Sequence, residues 1–67
     1  MVSFILNVID FSDNSIKNAL TNCLLDKGYT KEEIVFTKDS VFICNKEYKY
    51  FIYNCRENWC SCDISLL

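Results

Sequence analysis

Short apolar runs separated by polar breaks fill the second half of the chain, from Glu33 to Ile64. The runs are rich in β-branched and aromatic residues, which favour strands. The polar breaks between them predict tight turns at Lys38-Asp39, Asn45-Lys46 and Arg56-Glu57. We therefore expect an antiparallel meander with strands at about Ile34–Thr37, Val41–Cys44, Glu47–Asn54 and Trp59–Ile64.

A strand and a helix precede the meander. The alternation within Val2–Ile9 favours a strand with one buried face. In the next segment apolar residues recur at a spacing of three and four, which predicts a helix from Ser12 or Asp13 to about Lys27. Gly28 follows the last periodic residue, where helices commonly end in the left-handed conformation that glycine adopts without strain.

This order of elements defines the expected fold class. It is α+β: a single small domain over residues 1–67, β-α-β-β-β-β, with one helix packed on a mostly antiparallel sheet. Thr30 and Glu33 have the spacing of a capping box, so one helical turn is expected between helix and sheet. With 67 residues, 51% of them hydrophobic, the chain has apolar material for a dense core or for a core and an interface.

Counting across the three turns predicts the strand register and two faces of the sheet. The expected opposing pairs are Phe36 with Val41, Ile43 with Tyr48, Val41 with Tyr50, and Tyr53 with Cys60. The first face then contains Ile34, Phe36, Val41, Ile43, Tyr48, Tyr50, Ile52 and Trp59. The second contains Val35, Thr37, Ser40, Phe42, Cys44, Lys49, Phe51, Tyr53, Cys55, Cys60, Cys62 and Ile64.

We expect the helix to cover the first face, which is richer in isoleucine and valine. A helix of about fifteen residues is roughly 22 Å long and cannot cover both faces. The second face would then expose Phe42, Phe51 and Tyr53 beside Lys49, and contiguous exposed apolar patches usually mark interaction sites. The alternative is a bulge or one-residue slip, which would move downstream side chains to the other face and into a single core.

The five cysteines are the only residues that suggest distinctive chemistry. Cys55, Cys60 and Cys62 form a compact cluster, and converging thiolates can bind zinc. The chain has no histidine and no Cys-x2-Cys pair, so we expect neither a metal nor another cofactor, and the zinc-stabilised module stays an alternative. The odd count disfavours a disulfide framework, although one pair could form. We expect Cys23 in the core and the other four as reduced thiols.

Composition weighs against catalysis and against nucleic acid as the partner. Without histidine, cysteine lacks its usual base, and a single glycine excludes a Gly-rich phosphate loop, so we expect no enzyme. The net charge is -2 and the basic residues are scattered. Aromatic residues on a sheet leave weak binding of single strands as an alternative, through Tyr48, Tyr50, Phe51, Tyr53 and Trp59.

Binding to another protein is the function class that remains. Its predicted surface is Phe42, Lys49, Phe51 and Tyr53, with Trp59 from the Cys55–Cys62 region, because aromatic side chains dominate such interfaces. The alternative is that an unpaired sheet edge binds a partner strand or a second copy of the chain, which would form a homodimer.

Two further expectations concern context. Size and composition are compatible with an accessory protein of a virus such as a phage, or of a mobile element, that inhibits a host enzyme, by analogy alone. The apolar run at Val2–Ile9 is too short for a membrane span and lacks the basic lead-in of a signal peptide. A cytoplasmic protein is therefore expected.

Overall fold

The computed structural model describes residues 2–67 and contains one helix on a five-stranded antiparallel sheet. The sheet order is β1-β5-β4-β3-β2, so the predicted α+β class and the order β-α-β-β-β-β are confirmed. In chain order the elements are β1 (Val2–Asn7), α1 (Asp13–Asp26), a 3₁₀ turn (Lys31–Glu33), β2 (Ile34–Phe36), β3 (Val41–Ile43), β4 (Lys46–Arg56) and β5 (Trp59–Leu66).

Helix α1 begins and ends where the sequence predicts. Ser12 is the N-cap, and its Oγ accepts a hydrogen bond from the Ser15 N–H at 3.3 Å. At the other end, the N–H groups of Lys27, Gly28 and Tyr29 bond to the last carbonyls of the helix. Gly28 has a φ of +104°, which L side chains rarely adopt, so glycine suits this position.

The helix packs on one face of the sheet, which we call the helix face. Ala19, Leu20 and Leu24 are the buried residues of α1. From the strands, the buried apolar residues are Leu6, Ile34, Val41, Ile43, Cys60, Cys62 and Ile64, and Phe4, Phe36, Tyr48, Tyr50 and Ile52 pack around them. Cys23 packs against this core as predicted, and α1 covers the predicted first face except for Trp59.

The turn between β3 and β4 consists of Cys44 and Asn45, one residue earlier than predicted. Both residues have positive φ, 51° and 66°, which is the type I′ geometry of two-residue hairpins. Ile43 therefore opposes Lys46 rather than Tyr48, and all of β3 is shifted by the same two residues. Because side chains alternate with a period of two, this shift leaves every residue on its predicted face.

The connection from β4 to β5 differs from the prediction in a way that does change faces. The turn is Glu57-Asn58, so that Arg56 opposes Trp59, whereas Tyr53 opposes Ser61. One residue of β4 is therefore extra. We assign it to Asn54, whose φ of 51° belongs to the left-handed region that asparagine adopts more readily than most residues.

This bulge exchanges the two faces of β5. The predicted pairing of Tyr53 with Cys60 is wrong by one residue, and an odd shift inverts every side chain that follows. Cys60, Cys62 and Ile64, which the predicted register assigns to the second face, lie in the core. Trp59, which it assigns to the first face, lies on the opposite side of the sheet.

Leu20 is fully buried, so Leu20→Ala is expected to lower the free energy of unfolding by about 2–5 kcal/mol through lost burial and the cavity left behind. Urea-induced unfolding followed by circular dichroism measures this change. The matched control is Leu67→Ala at a residue that is 68% exposed, where the expected change is below about 0.5 kcal/mol. Equal losses in the two variants would contradict the described core.

Candidate functional site

The sheet face opposite α1 has no helix over it within residues 2–67, and we call it the uncovered face. All five strands contribute side chains to it. They include Ser3 and Ile5 from β1, Val35 from β2, Phe42 from β3, Glu47, Lys49, Phe51, Tyr53 and Arg56 from β4, and Trp59, Ser61 and Asp63 from β5. Ile5 is 58% exposed, Val35 55%, Phe51 50% and Tyr53 41%.

All five predicted protein-binding residues lie on the uncovered face. The predicted register already assigns Phe42, Lys49, Phe51 and Tyr53 to it, and the bulge brings Trp59 to the same side. Phe42 and Trp59 are half-buried, and the other three are exposed. Their contact with a partner stays a prediction.

A small polar network lies among these apolar side chains. The Ser3 hydroxyl and the Tyr53 hydroxyl both donate to Oδ1 of Asp63, at 2.7 and 2.8 Å. Asp63 lies between β1 and β4 in the sheet, because Ser3 opposes it on one side and Phe51 on the other. The network therefore ties the three strands together on the uncovered face and holds the Tyr53 ring in one orientation.

The hydrogen bond to Asp63 raises the pKa of Tyr53 above its ordinary value. Ionisation of the phenol would lose this bond and would leave two negative charges side by side. Tyr53 is therefore a neutral donor throughout the neutral pH range. The contribution of this bond to folding is present below the ordinary tyrosine pKa and is lost as the pH rises through the raised pKa.

Sequence reasoning missed Ser3, Ile5 and Asp63 as members of this surface. The sequence of β5 contains a signal for Asp63. The polar residues Ser61, Asp63 and Ser65 alternate there with the apolar residues Cys60, Cys62, Ile64 and Leu66. A strand with this pattern turns its cysteines and Ile64 to the core and its serines and Asp63 outward. Counting through the turns, rather than following this alternation, produced the wrong face.

The uncovered face continues to an open edge of the sheet. β3 pairs only with Lys46–Tyr48 of β4. The rest of β4, residues 49–56, pairs with β5 on one side and with no strand of residues 2–67 on the other. Backbone groups on that side are available to an additional strand.

The cysteines do not assemble into a metal centre in residues 2–67, where no three Cys, Asp or Glu side chains are grouped to hold an ion. Cys60 and Cys62 are buried on the helix face, while Cys55 is exposed at its margin. The predicted register puts all three on the second face, and for Cys60 and Cys62 this is wrong, because both lie in the core under α1. Cys44 lies in the β3–β4 turn, and its thiol donates to Oε2 of Glu33 at 3.1 Å.

A cavity of about 270 Å³ opens between the end of α1 and the sheet. Its lining is mainly apolar and includes Phe4, Leu24 and Ile43, with Lys27 and Tyr29 among the polar contributors. Small-molecule sites usually measure about 300–1,000 Å³. The uncovered face, which exposes Phe51 and Tyr53 side by side on β4, is therefore the better candidate site.

No protein-family model matches the chain, and comparisons with curated proteins and with solved structures find no match. No helix within residues 2–67 is long and apolar enough to cross a membrane.

Replacing the charged acceptor tests the polar network. In Asp63→Asn the pKa of Tyr53 is expected to fall toward its ordinary value, because the carboxylate no longer favours the protonated phenol. Ultraviolet titration of the four tyrosines measures the change, and subtraction of the Tyr53→Phe titration identifies Tyr53. Asp26→Asn, at the end of α1, is the matched control with no expected effect. An unchanged titration in Asp63→Asn would contradict the network.

Proposed function

We propose that this chain is a small protein-binding module that contacts its partner through the uncovered face. The observation that carries the proposal is the contiguous, half-exposed set of apolar side chains around the Asp63 network. Leaving Phe51 and Tyr53 in water forgoes the burial free energy of large aromatic side chains, which a partner would recover. Aromatic residues with few rotatable bonds are also the usual anchors of protein interfaces.

The hydrogen bonds of Asp63 support this use of the face. A carboxylate inside an interface is costly unless its oxygens are bonded. Both hydrogen bonds from within residues 2–67 end on Oδ1, which leaves Oδ2 for a donor from the partner. We expect the partner to present an arginine, a lysine or an N–H group at this point, surrounded by apolar side chains.

The charge of Asp63 also favours a different protein over a second copy. A symmetric dimer centred on the network would bring two Asp63 carboxylates together, and each would raise the cost of ionising the other. A partner with a basic group opposite Asp63 avoids this repulsion. We therefore propose a heterologous complex.

The open edge of β4 adds a second type of contact to the same surface. An extended segment of the partner could pair with residues 49–56 while its side chains reach Phe51 and Tyr53. Backbone pairing of this kind provides affinity, and the side-chain contacts provide specificity.

Mixed charge on the uncovered face favours protein over nucleic acid. Lys49 and Arg56 lie there with Glu47 and Asp63, whereas phosphate binding relies on clustered basic residues. The proposed binding to a partner protein requires no catalytic activity of this chain.

Inhibition of a host enzyme, as in accessory proteins of phages or mobile elements, stays a prediction from size and composition.

Quantitative capture from a cell extract tests the proposal, with wild-type and variant chains as baits. Phe51→Ala is expected to weaken capture of a specific partner by at least about 30-fold in affinity, since truncation of an interface anchor costs about 2 kcal/mol or more. The matched control is Phe11→Ala, the same change at an exposed residue in the β1–α1 connection, expected to bind like wild type. Titration calorimetry with the recovered partner then measures Kd.

Two outcomes would contradict the proposal. One is a partner that Phe51→Ala and wild type capture equally. The other is a wild-type dimer, seen by light scattering at several concentrations, that Phe51→Ala dissociates and Phe11→Ala preserves, because a second copy would then occupy the uncovered face. Circular dichroism of each variant establishes that its fold is intact.

A further inference from the structure

The bulge that turns Trp59 outward also brings two cysteines face to face. Arg56 opposes Trp59 across the β4–β5 turn, and the register shift lies between this pair and the pair of Tyr53 with Ser61. With the extra residue assigned to Asn54, we infer that Cys55, the residue before Arg56, lies opposite Cys60, the residue after Trp59. Because Arg56 and Trp59 point to the uncovered face, Cys55 and Cys60 both point to the helix face. The extra residue, Asn54, comes before this pair and does not separate it.

The expected spacing of this pair suits a disulfide. Arg56 and Trp59 oppose each other across a two-residue turn, which is the place of a hydrogen-bonded pair. The inferred pair next to it, Cys55 with Cys60, then takes the non-hydrogen-bonded position. Cα atoms in such pairs are about 4.5 Å apart, within the range of about 4.4–6.8 Å found in disulfides. Burial raises the pKa of Cys60, and the adjacent Cys55 thiol raises it further, which agrees with contact between the two side chains.

We propose that Cys55 and Cys60 form a redox modification site, closed to a disulfide by exchange with a small disulfide such as oxidised glutathione. The two thiols differ in access, since Cys55 is exposed and Cys60 is fully buried. The small disulfide therefore reacts at Cys55, and Cys60 acts as the resolving thiol.

The exchange proceeds in two balanced steps. The Cys55 thiolate attacks one sulfur of the small disulfide, whose S–S bond breaks and releases one small thiolate. Cys60 then loses its proton and attacks Sγ of Cys55, which breaks the mixed disulfide and releases the second small thiolate. The two protein thiols are oxidised, the small disulfide is reduced, and the two protons pass to the released thiolates.

The other cysteines are less suited to this bridge. Cys44 lies in the β3–β4 turn and bonds to Glu33. Cys62 is buried two residues further along β5, which puts its Cα about 6.6 Å from that of Cys60 along the same strand. Cys23, on α1, donates weakly to the Ile5 carbonyl at 3.8 Å. The cross-strand position belongs to Cys55 and Cys60 alone among the five cysteines.

The test oxidises the chain with glutathione disulfide, blocks remaining thiols with an alkylating reagent, and digests the denatured chain with trypsin. Cleavage after Lys49 and Arg56 puts Cys55 in peptide 50–56 and Cys60 in peptide 57–67. We expect these two peptides to be linked, with fragmentation locating the bond at Cys60 and dithiothreitol releasing it. In Cys44→Ser, which has four thiols, the same oxidation is expected to leave two alkylatable thiols.

Two variants make the result decisive. Cys55→Ser changes an exposed side chain and is expected to lose the linked peptides, with Cys60 recovered as an alkylated thiol. Cys60→Ala is expected to stop at the mixed disulfide of Cys55 with glutathione. Absence of linked peptides from the oxidised wild type, a bond to Cys62, or persistence of glutathione on wild-type Cys55 would overturn the proposal. Because the readout is thiol chemistry, it is independent of partner binding.

Discussion

The extra residue in β4 determines which side chains of β5 face the helix, and both sides of the sheet depend on it. With Asn54 in the left-handed conformation, Cys60, Cys62 and Ile64 complete the core under α1. The same register turns Trp59 and Asp63 to the uncovered face. Since β5 lies between β4 and β1, it also sets the partners of β1, where Leu6 opposes Cys60 and Ser3 opposes Asp63.

Local signals were enough to predict the helix and the element order. Ser12 and Gly28 mark the ends of α1 through hydrogen bonds and backbone conformations that depend on one or two residues each. The register of a strand depends instead on the number of residues in every turn and bulge that precedes it. The error of two residues at Cys44-Asn45 kept the faces, whereas the error of one residue at Asn54 inverted them. The register therefore predicts the correct face for Phe42, Lys49, Phe51 and Tyr53, whereas Trp59 and Asp63 reach that face only through the bulge.

A helix of 14 residues is about 21 Å long, and five strands spaced at about 4.8 Å make a sheet about 19 Å wide. The length of α1 is thus close to the width of the sheet, and residues 2–67 contain no second α-helix for the other face. A chain with 51% hydrophobic residues then leaves part of its apolar surface in water. In the proposed complex, the Asp63 network would make that surface specific, because it places a charged acceptor beside the exposed Phe51 and Tyr53.

The bulge in β4 positions both the cysteine pair and part of the uncovered face. The two lie on opposite sides of β4 and β5. Tyr53 and Arg56 flank the bulged residues on the uncovered face. The inferred pair of Cys55 and Cys60 lies beneath them on the helix face. A bulge is the least constrained part of a ladder, since its extra residue has no cross-strand partner. A covalent bond between Cys55 and Cys60 would restrain that segment and, with it, the relative positions of Tyr53, Arg56 and Trp59. In the proposed scheme, oxidation of the pair would therefore change the shape of the proposed binding surface through the backbone.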